Sequence, residues 1–195
     1  MKRVLVILPN AFELLEGAAF IDVLGWANDC GDTPIEVTTA GVTAEVKCTF
    51  GTFKLLPDTT LSQVCADDFD AVAIPGGFEA HGFFEEAFSD LILQTLRDFD
   101  QQQKPVASVC VGALALAKSG ILDGRRATTY HLSGGVRRRQ LSEMGTNVED
   151  ASIVTDGNIT TSTSPATAID VALKLVEQLT SAENALRVRH ELGFT

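Results

Sequence analysis

Two kinds of block alternate along the chain. Residues 3–8 form a short, β-branched-rich apolar run without alternation, which predicts a strand buried on both faces of a parallel sheet. Over 17–28, Phe20, Ile21, Val23, Leu24 and Ala27 recur at helical spacing, and Gly31 supplies a stop. A second strand is expected over 35–40. Residues 45–56, broken at Gly51 and ended by Pro57-Asp58, predict a hairpin at a sheet edge. Residues 69–74 read as another buried strand, stopped by Pro75-Gly76-Gly77. A helical stripe of Leu91, Ile92, Leu93, Leu96 and Phe99 follows over 89–102, with Ser89 placed to cap it. Then come a strand at 106–109 and a helix at 112–118, and further strands at 127–129, 152–155 and 159–162. Helices are predicted at 166–179, with Pro165 near its start, and at 183–192. Strands alternating with helices in this way predict an α/β fold, a doubly wound sandwich on a mainly parallel central sheet. No repeat, low-complexity tract or linker divides residues 1–195, so a single domain is expected.

Composition narrows the partners. The chain has 195 residues, 45% hydrophobic and 21% charged, enough to bury a core, and its formal net charge is −11. The only basic cluster is Arg137-Arg138-Arg139, so neither nucleic acid nor an anionic membrane is an expected partner. No apolar run approaches the roughly 18 residues of a membrane span. The apolar stretch after Met1-Lys2-Arg3 lasts about five residues, too short for a secretory signal. Cys30, Cys48, Cys65 and Cys110 form no CxxC pair, so reduced thiols and a cytoplasmic setting are expected.

In open α/β sheets, ligands bind beyond the carboxyl ends of the strands. That rule gathers Glu13 and Glu16, Gly76 and Gly77, Cys110, and Tyr130 and His131 into one candidate crevice, provided their strands are neighbours. Cys110 stands between a predicted strand and a predicted helix in Ser108-Val-Cys-Val-Gly112, the setting of a nucleophile elbow. There the helix dipole would shift the thiol toward thiolate. The alternative is a buried small hydrophobe, a common fate of free cysteine. Glu16 is readable as a dipole-matched surface group, or as a buried acid able to donate to a thiolate. Amides after the 69–74 strand and at Val111 could hold an oxyanion or a sulfinate, and His131 could act as a base. The chain has no GxGxxG after its first strand, no GxxxxGK[ST], no HExxH and no CxxC, so no dinucleotide, nucleotide or metal cofactor is expected.

Taken together, Val4-Leu-Val-Ile-Leu8, Glu16, Ala73-Ile-Pro-Gly-Gly77, Pro105-Val-Ala-Ser-Val-Cys-Val-Gly112 and Gly124-Arg-Arg-Ala-Thr-Thr129 resemble the DJ-1/ThiJ/PfpI superfamily. Asp156-Gly-Asn158 and Ser164-Pro-Ala-Thr-Ala-Ile-Asp170 extend the resemblance over nearly the whole chain. It implies a flavodoxin-like sandwich, usually a homodimer, with Cys110 reactive, Glu16 its acidic partner, and Gly77 and Val111 the amide donors. It also implies a cofactor-independent, cysteine-dependent activity on small reactive carbonyls or glycated protein, in the glyoxalase or deglycase manner. Redox sensing or chaperoning through oxidation of Cys110, and isonitrile hydration, are the alternatives. PfpI-type peptidases carry histidine directly after the cysteine, whereas Val111 stands here, so peptidase activity is not expected. Isonitrile hydratases typically carry threonine after the cysteine and aspartate at the Glu16 position. DJ-1-like members often read Thr-Thr-His where this chain has Thr128-Thr129-Tyr130, with His131 one position later.

Overall fold

The computed structural model describes residues 1–194. Strand β1 (Lys2–Ile7) lies inside the main sheet, flanked in parallel by β2 (Ile35–Gly41) and β6 (Ala71–Ile74). Beyond β6 come β7 (Val106–Ser108) and β11 (Ile159–Ser162), also parallel, and then β10 (Ile153–Asp156), which pairs antiparallel with β11. The two-residue strand β5 (Thr59–Thr60) closes the other edge, giving the order β10-β11-β7-β6-β1-β2-β5. The five longer parallel strands, numbered in chain order, lie 2-1-3-4-5, the flavodoxin order, so the chain changes direction across the sheet between β1 and β6. This is the expected flavodoxin-like, mainly parallel sandwich.

The central strands are buried because they are apolar on both faces: Val4 to Ile7 and Ala71 to Ile74 are all fully buried. The helices are α1 (Leu14–Cys30), α2 (Phe83–Ala87), α3 (Asp90–Gln101), α4 (Gly112–Lys118), α5 (Val136–Glu143), α6 (Ala168–Leu179) and α7 (Ala182–Glu191). Helices α1, α6 and α7 pack together in one layer, and α2 to α5 in another. The buried side chains of both layers and the sheet form one continuous apolar cluster.

Several details differ from the sequence pattern. The hairpin at 45–56 exists as β3 (Val46–Lys47) and β4 (Lys54–Leu55), but it forms its own two-stranded sheet, and β5 takes the edge. The strand expected at 127–129 is only β8 (Arg126–Ala127), paired with β9 (Asn147–Val148) outside the main sheet. Ser89 occupies the N-cap of α3, yet its side chain makes no cap bond. Helices α2 and α5 were not evident from periodicity: α2 is five residues long, and α5 (VRRRQLSE) buries only Leu141. The Arg137-Arg138-Arg139 cluster lies on α5. Arg137 pairs with Glu79 at 2.8 Å, Arg138 with Asp150 at 2.7 Å, and Arg139 donates to Gly134 O.

Candidate active site

The segments leaving β1, β6 and β7 meet where the sheet changes direction. After β7 the chain turns sharply into α4, and Cys110 at the turn adopts φ +56°, a left-handed conformation that costs an ordinary residue about 1–2 kcal/mol. Two long-range hydrogen bonds hold it there: Cys110 N–H donates to Ser162 O (3.0 Å), and the Thr129 hydroxyl donates to Cys110 O (2.8 Å). Ala11, in the segment after β1, is also left-handed at φ +63°. Strained non-glycine backbone thus borders the site on two sides.

Glu16, in the first turn of α1, is wholly buried, so it is not a surface charge. Its Oε2 accepts from Gly76 N–H at 2.6 Å, while Oε1 has no hydrogen-bond partner of good geometry. Gly76 leaves room for no side chain. A Cβ there would stand 2.9 Å from Val111 N, 3.0 Å from Glu16 Oε2 and 3.1 Å from Cys110 Cβ, which measures how tightly the three segments converge. A Cβ on Gly77 would run into Ala11 O and the Phe83 ring. On Gly112 it would approach Pro75 O at 2.9 Å, so the elbow can sit against the β6 turn only as glycine. Among the described residues the Gly77 N–H has no protein acceptor, and the Val111 N–H is directed at the Cys110 sulfur.

Burial dominates the electrostatics. Desolvation pushes the Glu16 carboxyl from its ordinary 4.5 up to about 8, against the pull of the Gly76 N–H and the Cys110 thiol. Burial likewise pushes the Cys110 thiol up, a charged Glu16 pushes it further, and the Val111 N–H pulls it back. This corrects the simple expectation of a dipole-activated thiolate: α4 has only seven residues, and Cys110 is 7% exposed. The two groups titrate together. While Glu16 keeps its proton the repulsion on the sulfur is absent, so the thiolate is most accessible with the carboxyl neutral.

Tyr130 and His131 follow the Thr129 that anchors the elbow, although β8 lies outside the main sheet. Tyr130 is half-buried. His131 is exposed, its ring centroid 6.3 Å from that of Tyr130, and among the described residues it hydrogen-bonds neither Cys110 nor Glu16. Cys30 is half-buried, Cys48 buried and Cys65 exposed, and none of the three is on an elbow. The Gly76 amide as the partner of Glu16, and Ser162 as an anchor of the elbow, carry no local sequence signal, since both contacts are made by backbone between distant segments. Among the described residues no group of three or more His, Cys, Asp or Glu could hold a metal ion, and no helix is long and apolar enough to cross a membrane.

A flavodoxin-like sheet with an elbow cysteine against a buried glutamate at the switch point defines a class of α/β protein. The DJ-1/PfpI family model matches residues 2–178, and the chain belongs to that family. Protein dj-1beta of Drosophila melanogaster is 35% identical over 189 residues, 96% of this chain and 94% of its own. The Parkinson disease protein 7 homolog of Danio rerio is 30% identical over 194 residues, covering 98% of this chain and 96% of the relative. The crystal structure of Drosophila melanogaster DJ-1beta superposes with a TM-score of 0.87 at 34% identity, covering 100% of this chain and 98% of that one. A Toxoplasma gondii DJ-1 described as oxidized gives a TM-score of 0.83 at 27% identity, with full coverage of both chains.

Proposed function

We propose that this protein is a cofactor-independent, cysteine-dependent enzyme acting on small reactive carbonyls or their protein adducts, a glyoxalase or deglycase, with the chain working as one domain. The observation that carries this reading is Glu16, a wholly buried carboxyl pushed up to about 8 and packed beside an elbow cysteine. A carboxyl poised near neutrality can both give and take a proton. With a 2-oxoaldehyde, the Cys110 thiolate adds to the aldehyde carbon. A C–S bond forms, the carbonyl π pair moves to oxygen, the Gly77 and Val111 N–H groups hold the oxyanion, and Glu16 supplies the proton. The carboxylate left on Glu16 then takes the proton from that carbon and returns it to the neighbouring one, while the hydroxyl proton passes to the neighbouring oxygen. The result is the thioester of a 2-hydroxy acid. Water cleaves it and restores the thiol, with His131 the proposed base for that water. One carbon is oxidised and its neighbour reduced, so no external redox partner is consumed.

Proton NMR of methylglyoxal incubated with the protein and no added cofactor should show lactate accumulating over many turnovers. Absence of lactate, or yields no higher than the protein concentration, overturns the reading. A second reading, oxidation of Cys110 by peroxide to a sulfinate that signals or recruits partners, is supported by the free Gly77 N–H, by the Val111 N–H directed at the sulfur, and by the oxidized state named for the Toxoplasma relative. Isonitrile hydration has weaker support, because Val111 cannot make the contacts of a threonine hydroxyl. We further propose a cytoplasmic homodimer. Exposed Leu15 and Trp26 on α1 are candidates for its apolar contact. Light scattering should give twice the mass of one chain at micromolar concentration, and a monomer there would refute the dimer.

A further inference from the structure

Beside the crevice the surface is unexpectedly aromatic. Phe50 is 67% exposed and Phe78 47%, both large apolar groups left in water. Neither ring stands alone: the Phe50 and Phe78 centroids are 5.8 Å apart, and the His81 ring lies 6.1 Å from each, edge-on. The three rings form a single wall, whereas scattered single apolar side chains on a surface need no explanation.

The wall is continuous with the catalytic backbone. Phe78 directly follows Gly77, whose N–H is free, and its Cα lies within about 7 Å of Gly76, the residue packed against Cys110. Phe50 arrives from the other side. Its neighbour Thr49 donates from its backbone N–H to Phe12 O at 2.7 Å and from its hydroxyl to Ala11 O at 2.6 Å. Phe12 itself bridges to Cys48 on one side and to Gly77 on the other. The hairpin, the segment after β1 and the β6 turn are therefore locked in register, and the two phenyl rings are carried at the ends of that register. Phe12 at the centre of that register is buried, as is Phe83, whose ring lies against Gly77.

We infer that the Phe50–Phe78–His81 wall is a specificity surface that receives the organic substituent of the carbonyl compound, and that the preferred substrates carry a neutral aromatic ring. A neutral ring is favoured because Glu13 adjoins the same segment and the chain's formal net charge is −11, which disfavours a carboxylate on the substrate. A flat ring recovers contact with both phenyl faces, while a methyl group touches neither. This deepens the carbonyl reading and rests on it only for the identity of the reaction.

Two measurements separate the inference from that reading. In the first, kcat/KM is compared for phenylglyoxal and methylglyoxal. The wild type should favour phenylglyoxal about tenfold or more, and Phe78→Ala and Phe50→Ala should each lower that ratio several-fold, chiefly through KM. The second needs no turnover: Cys110 is alkylated by N-phenylmaleimide and by N-methylmaleimide, each rate divided by that for free glutathione, with the site read by mass spectrometry. The normalised phenyl-to-methyl ratio should be about tenfold in wild type and near one in Phe78→Ala. Phe78→Leu should be intermediate, because it keeps apolar area without a ring. The ratio should persist in Leu186→Ala, an exposed apolar residue on α7. A persisting alkylation ratio without turnover of either glyoxal upholds the wall and refutes the carbonyl reading. Turnover of both glyoxals with ratios near one in both assays does the reverse. A wild-type ratio that survives loss of Phe50 and Phe78 overturns the inference, as it would if a second copy of the chain covered the rings.

Discussion

Methylglyoxal turnover should fall by at least about 10⁴-fold in Cys110→Ser, while the folded state survives. Deleting the nucleophile of a hydrolase costs on the order of 10⁶ in kcat, and an alcohol buried where even a thiol is pushed up has no usable anion near neutral pH. Serine keeps the small side chain and the hydrogen bonds to Ser162 and Thr129, since both are made by the Cys110 backbone. Far-ultraviolet circular dichroism should be unchanged. Cys65→Ser, at an exposed cysteine away from any elbow, should stay within about twofold of wild type, which makes it the control for general thiol loss. Retention of more than about 1% of turnover by Cys110→Ser would remove the elbow from the chemistry.

Glu16→Gln should become progressively more stable relative to wild type as pH rises from 4.5 to about 8. The carboxyl binds its proton more tightly in the folded protein than in the unfolded chain, because burial penalises the charge. Its contribution is therefore fully present below 4.5 and is lost as pH rises through the folded value. The loss is about 1.4 kcal/mol for each pH unit, on the order of 5 kcal/mol across the window. Glutamine can still accept the Gly76 N–H bond but does not titrate. Urea unfolding of both proteins at pH 4.5, 6.5 and 8.5 gives the difference directly, and groups common to the two cancel. Parallel stability curves would mean that Glu16 ionises at its ordinary value and lacks the proton that the proposed chemistry needs.

The elements that the chain pattern makes plain are those whose burial is decided locally. Val4 to Ile7 of β1 and every residue of β6 are apolar, and α4 and β11 begin and end where the pattern places them. Elements fixed by distant partners are opaque. Two-residue β5 exists because Ala40 and Gly41 offer it an edge, and the hairpin leaves the main sheet because Cys48 pairs with Phe12 instead. The same division runs through the site. Cys110 is conspicuous as a strand-to-helix cysteine, whereas the burial of Glu16 follows only once Gly76 closes over it. The aromatic wall was silent in the sequence, since Phe50 and Phe78 are separated by three strands and the segment after β1 brings them together.

The two hydrogen bonds on the Cys110 backbone also set an order of events during synthesis. The elbow leaves the ribosome before either Thr129 or Ser162, the residues that hold it in its left-handed turn. At about 5–20 residues per second, several seconds pass before β11 can dock beside β7. Through that interval residue 110 is an ordinary flexible cysteine with neither a buried carboxyl nor an aimed amide beside it. The paired setting of Cys110 and Glu16 is a property that the chain acquires only near the end of its folding, so a nascent or truncated chain ending before Ser162 carries the sequence motif without that environment.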